Sequence, residues 1–316
     1  MRYSLLSRFR GALLGSLVGE LLVRVGCQER FLGGVTLTLP KPEETQTNQA
    51  LSGWSQFASC GTESLIRCGS VNLEDWWLLL GKTPSSVVLK SAATSSEAAV
   101  AMLPLALFFH DDEVKLRQQL LACAEVWQHK SEATEGVLAV AYAIALTLTE
   151  KLDCASLIPR TLAYLGTSQT PLLQQLERVQ TLLEARAGLD TTLTHLRQDA
   201  QSRGEPLGCP HTSIALAFYC FLSTPEDFRL CVSRAARTPY QPQMTSALTG
   251  ALAGVYNSLV GIPVSWRLAA NRISSGIQRL QLADRLLEVW AGVYDVSALA
   301  GGQQLAVAAP RVIQPR

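Results

Sequence analysis

The apolar residues of this 316-residue chain recur with helical spacing almost from end to end. Leu172, Leu176, Val179 and Leu183 lie three and four residues apart, a one-sided stripe that suits a helix packed on a core. Leu189, Leu193 and Leu196 resume the stripe after a break at Gly188. Strand signals are scarce. Val35–Leu39 alternates, but it lies between Gly33-Gly34 and Pro40 and reads as a loop. The pattern predicts helices over 4–25, 44–68, 72–81, 95–109, 112–128, 131–151, 154–165, 170–187, 190–203, 211–222, 225–237, 243–259 and 274–292. The expected fold class is therefore all-α. Asn72 and Thr224 read as N-caps, the latter with Pro225 and Glu226 in the first turn. One helical domain over 1–300 and a flexible tail over 301–316 are expected. Gly11, Gly15 and Gly19 are spaced by four, as are Gly250 and Gly254, and this spacing predicts close backbone packing inside a protein core.

Composition narrows the function classes. Apolar residues make up 48% and charged residues 17%, and 27 Lys+Arg against 26 Asp+Glu leave a net charge of +1. That balance argues against a nucleic-acid partner, which calls for a basic stripe, and against disorder. The longest apolar runs, Ala98–Phe109 and Val137–Thr149, fall short of the roughly 20 residues that cross a bilayer, so no membrane partner is expected. Arg2, Arg8 and Arg10 precede Gly11–Leu22 in the manner of a signal peptide, but Glu20 and Arg24 occupy the place of a cleavage site. Eight cysteines occur without a CxxC pair, several in apolar helical runs such as that around Cys220. They read as buried reduced thiols, which predicts a cytoplasmic location.

Several segments resemble a known family. Arg8–Glu20 (RFRGALLGSLVGE) is similar to the opening helix of the ADP-ribosylglycohydrolase family. Ala247–Gly254, then Gly261-Ile262-Pro263 and Trp266, are similar to its AAITGALAGA…GIP…W segment. Glu63–Ile66, Met102–Ala106, His129 with Ala133–Ala145, and Gly208–Leu222 resemble further pieces in the right order. The resemblance covers about residues 8–267 and implies a single compact orthogonal multi-helix bundle.

It also implies a chemistry. Members hold two divalent cations, usually Mg²⁺, with Asp and Thr oxygens from a TDDT and a GGDTDT motif. Hard cations need several carboxylates. Projected onto this chain, TDDT falls on Ser52-Gly53-Trp54-Ser55, and GGDTDT falls on Pro239-Tyr240-Gln241-Pro242-Gln243-Met244. Glu20 takes the place of the first helix's Asp, and Ser96–Ala101 replaces a segment containing Arg. Only nine Asp occur in the chain, none of them in 1–74 or 228–283.

The resemblance thus predicts a catalytically degenerate relative that binds a nucleotide-like ligand such as ADP-ribose, or a protein partner. No cofactor, metal site or catalytic residue is expected. The candidate pocket residues are Glu20, Trp54, Ser55, Glu97, His129, Tyr240, Gln241 and Gln243, with Trp54 and Tyr240 stacking on a ring. The alternatives are a hydrolase of ADP-ribosyl N-glycosidic bonds with a reduced or displaced metal site, which would need Mg²⁺, and a pure interaction scaffold. His110-Asp111-Asp112-Glu113 reads as a helix start rather than a relocated metal site. Cys209-Pro210-His211 reads as a loop entering a helix rather than a nucleophile pair.

Overall fold

A computed structural model describes residues 3–26, 52–82, 94–124, 131–166, 170–202, 210–294 and 306–307. Fifteen helices occur among them: α1 (Leu5–Gly26), α2 (Gly53–Cys68), α3 (Leu73–Gly81), α4 (Ser95–Ala101), α5 (Leu103–Phe108), α6 (Glu113–Ala124), α7 (Ser131–Leu148), α8 (Leu157–Leu165), α9 (Pro171–Glu184), α10 (Leu189–Ser202), α11 (Pro210–Leu222), α12 (Phe228–Ala235), α13 (Pro242–Gly261), α14 (Val264–Asn271) and α15 (Ser274–Trp290). The all-α expectation holds. A two-residue antiparallel ladder pairs Val293–Tyr294 with Ala306–Val307, the latter inside the stretch read from sequence as a tail. Val35–Leu39 lies outside the described residues.

Local chemistry explains where the elements depart from the sequence pattern. The expected 95–109 helix breaks at Met102. Pro104 has no N–H to continue the ladder, so it restarts the chain in the first turn of α5. Asn72 caps α3 as expected, accepting from the Asp75 N–H. Thr224 does not cap α12. Asp227 does, accepting from the Leu230 N–H at 2.9 Å, while Arg234 donates to the Thr224 hydroxyl. α14 was not expected. Ile262-Pro263 ends α13, and Pro263 then enters a new helix at its own fixed φ. The acidic 110–113 cluster is a helix start: Asp112 accepts from the Lys115 N–H at 2.9 Å, and Asp111 accepts from Trp290 Nε1.

α1 is buried around almost its whole girth from Gly11 to Leu22, which places it in the middle of the fold. It runs antiparallel to α13. Gly11 meets Gly254, Gly15 meets Gly250, and Gly19 meets the Ser246 carbonyl, so the two glycine ladders of the sequence form one interface. α14 and α15 pack on α1, and α4, α7, α11 and α12 pack on α13. Among the described residues no single helix is long and apolar enough to cross a membrane.

α13 carries one strained residue. Ser258 is fully buried with φ 61° and ψ −177°, a region that only glycine adopts freely. The bend brings its backbone against Gly11 of α1. Ser258→Gly is expected to raise stability by about 1 kcal/mol, measured by urea unfolding, since its hydroxyl makes only a 3.3 Å bond to the Val260 N–H.

Candidate functional site

The glycine ladder has a positional consequence. Because α1 and α13 are antiparallel and in contact, the second half of α1 lies beside the first turn of α13. Glu20 of α1 therefore meets Gln243 of α13 without any intervening side chain. The start of α2 closes the same space.

Glu20 is completely buried. Its Oε1 accepts from the Ser52 N–H at 2.6 Å and from Gln243 Nε2 at 2.9 Å. Its Oε2 accepts from the Ser55 hydroxyl. These donors come from the N-terminal turns of two helices, where orphan N–H groups and the helix dipole favour negative charge. Ser52 is itself the N-cap of α2, accepting from the Ser55 N–H at 3.2 Å.

The fourth component is Arg279 of α15, which the sequence reasoning did not single out. Its Nη2 donates to the Ser55 carbonyl oxygen at 2.6 Å. Only 3% of the residue is exposed, and its Nε has no hydrogen-bond partner among the described residues. Burial pushes the guanidinium below its ordinary range, and the negative charge of Glu20 and the Cys60 thiol work in the other direction. A sequence signal existed. Gly276, Arg279, Leu282, Ala283, Leu286 and Val289 form the buried stripe of α15, and an arginine in an apolar stripe needs a partner.

The candidate residues divide into two groups. Glu20, Ser55 and Gln243 come together directly. Gln241 lies in a second cluster, where its Oε1 accepts from the Ser96 hydroxyl at 2.5 Å and from Ser213 at 3.4 Å. It takes a left-handed conformation, φ 39° and ψ 57°, at the entry to α13. Glu97 is engaged locally: it closes a capping box with Thr94, accepting from that residue's N–H at 2.9 Å and hydroxyl at 2.7 Å. Trp54 and Tyr240 were expected to stack on a ligand ring, but they are 5% and 8% exposed and belong to the core. Trp54 leans on Phe57 with ring centres 6.3 Å apart. His129 lies outside the described residues. His211 is buried with its Nδ1 3.3 Å from the Ser95 hydroxyl.

Among the described residues no three His, Cys, Asp or Glu side chains gather as a metal-ligand set. The six described cysteines are free thiols. Burial raises the thiol of Cys60 to about 11 and that of Cys123 to about 12. A cavity of about 670 Å³ lies elsewhere, lined among others by Cys154, Leu183, Arg186, Tyr219, Ser223 and Arg234, and none of the candidate residues lines it.

Comparison with known proteins fits this architecture. No curated protein matches the chain in sequence. A solved structure described as an ADP-ribosylglycohydrolase-related protein complex superposes with a TM-score of 0.60 at 18% identity, covering 90% of this chain and 99% of that one. At that identity the likeness shows a common fold. The family model for ADP-ribosylglycohydrolase matches residues 1–295, almost the whole described chain, and the protein belongs to that family.

Proposed function

We propose that this chain is a catalytically degenerate ADP-ribosylglycohydrolase relative that acts by binding an ADP-ribose-like ligand without metal ions. One observation carries the reading: both oxygens of the buried Glu20 carboxylate are already taken by donors of this same chain.

The family implies divalent cations, usually Mg²⁺, and the groups present do not fit them. A pair of dications needs several carboxylates. The described groups around Glu20 are hydroxyl, amide and backbone N–H donors together with a guanidinium, and none of them adds an anionic ligand. A cation placed at Glu20 would have to displace these hydrogen bonds and sit beside Arg279. Hydrolysis through metal-bound water is therefore not part of the reading, and no catalytic residue is assigned.

Binding would use the polar groups that are only half-buried: Ser52, Glu97, Gln241 and Gln243. Amide side chains can both donate to and accept from sugar hydroxyls. A cytoplasmic location is part of the proposal, on the strength of the free thiols, and neither nucleic acid nor a membrane is proposed as a partner.

Titration calorimetry with ADP-ribose, with and without Mg²⁺, tests the reading. The same affinity in both conditions is expected. Affinity that appears only with Mg²⁺ would overturn the metal-free reading, and release of ADP-ribose from a modified substrate that Glu20→Gln abolishes would make the chain an active hydrolase.

A further inference from the structure

We infer that Arg279 is the resident cation of this site, a fixed positive charge that balances Glu20 where members of the family use metal ions. The inference rests on the metal-free reading above.

Three observations converge on it. First, Glu20 and Arg279 are both buried, and the negative charge of Glu20 acts on the Arg279 guanidinium in the direction that keeps it charged. An uncompensated charge at such depth is costly, so two opposite ones must be stable together or not at all. Second, Ser55 ties the two groups into one unit. Its hydroxyl donates to Glu20 and its carbonyl oxygen accepts from Arg279, which fixes the two charges on either side of one residue. Third, among the described residues Arg279 makes one hydrogen bond, to a carbonyl oxygen, and its Nε has no partner. A guanidinium kept only for hydrogen bonding would be poorly used in this way, whereas one kept for its charge need not have every N–H filled.

The geometry assigns different work to the two partners. Glu20 gathers the N-terminal turns of α2 and α13, which leaves a negative charge among helix termini. Arg279 reaches in from α15 and neutralises it. Together they hold three segments, Ser52–Ser55, Gln243 and the end of α1, in the arrangement that would present Gln241 and Gln243 to a ligand. Arg279 is thus a positioning residue that would not touch the ligand itself.

The test is a charge-removal series on the full chain, read by thermal unfolding and by Mn²⁺ titration with no nucleotide present. Arg279→Gln and Glu20→Gln should each lower the unfolding midpoint by about 5–10 °C, because each strands a buried charge. The double variant should lose clearly less than the sum of the two. Arg279→Lys keeps the charge and should recover at least about half of the loss seen with Arg279→Gln. The wild-type midpoint should not respond to Mn²⁺. Additive single losses, or equal losses for Arg279→Lys and Arg279→Gln, would overturn the role of Arg279 and leave the metal-free reading standing. A wild-type midpoint raised by Mn²⁺ would overturn both. If the single variants do not fold, recovery of folded protein in the double variant supports the pairing, and failure of the double variant as well counts against it.

Discussion

Replacing Gly15 by leucine is expected to leave no folded protein. A Cβ on Gly15 would sit 2.2 Å from the Gly250 carbonyl oxygen and 3.1 Å from a ring carbon of Phe228. The carbonyl belongs to the backbone of a buried helix, so it cannot swing aside as a flexible side chain would. The only remedy is to push α1 and α13 apart, and every other contact along the pair would open with them. Overpacking a well-filled core costs about 1–3 kcal/mol even where side chains can adjust. Here the backbone itself must move, and a loss above about 4 kcal/mol is expected against a total stability of roughly 5–15 kcal/mol. Circular dichroism and size-exclusion chromatography of Gly15→Leu would show it. The graded variant Gly15→Ala should lower the urea midpoint markedly. Gly81→Ala serves as the control: nothing lies within 4 Å of its Cβ position at the end of α3, and alanine there should be neutral or stabilising by up to about 1 kcal/mol. Equal behaviour of the two alanine variants would mean that the helices are not in backbone contact.

That interface was legible in the sequence, and so was part of the site. Gly11, Gly15, Gly19, Gly250 and Gly254 announce a close approach by their spacing alone, although spacing cannot say which ladder faces which. Their antiparallel pairing is what carries Glu20 to Gln243, and so the meeting of Glu20, Ser55 and Gln243 followed from three segments projected separately onto the family pattern. The roles were less legible than the positions. Trp54 and Tyr240 look like stacking rings on paper, because residue type does not reveal whether a ring turns to a cleft or to the core. Glu97 looks like a pocket acid, but it lies three residues after Thr94, and the local capping box takes it up. Arg279 was missed for a different reason. The apolar members of a helical stripe define its period, and Arg279 shares the buried stripe of α15 without contributing to that apolar signal. A charge in that position predicts a buried counter-charge, and Glu20 is the one acid of α1.

The second large effect is expected at Trp76, which latches α3 onto the helix that supplies Ser52 and Ser55. Its indole is 1% exposed, lies with its ring centre 4.7 Å from that of Phe57, and donates from Nε1 to the Phe57 carbonyl oxygen at 2.8 Å. Gly61 makes room for it: a Cβ there would fall 2.1 Å from the indole ring. Trp76→Ala removes a large buried ring and should cost about 3–5 kcal/mol. Trp76→Phe keeps much of the volume and loses the hydrogen bond, so it should cost clearly less, with about 1 kcal/mol attributable to the lost bond. Gly61→Ala should be damaging in the wild-type background, because the indole is buried and held to Phe57 by ring contact and hydrogen bond, which leaves it little freedom to move. The same substitution in Trp76→Ala meets an empty space, and there its methyl group and its better helix propensity should both help. A double-mutant cycle of Trp76→Ala and Gly61→Ala by urea unfolding should therefore show a coupling of at least about 1 kcal/mol in the direction of mutual rescue. Additivity would mean that the indole does not rest on Gly61, and that α2 is held in place by Glu20, Arg279 and its own packing instead.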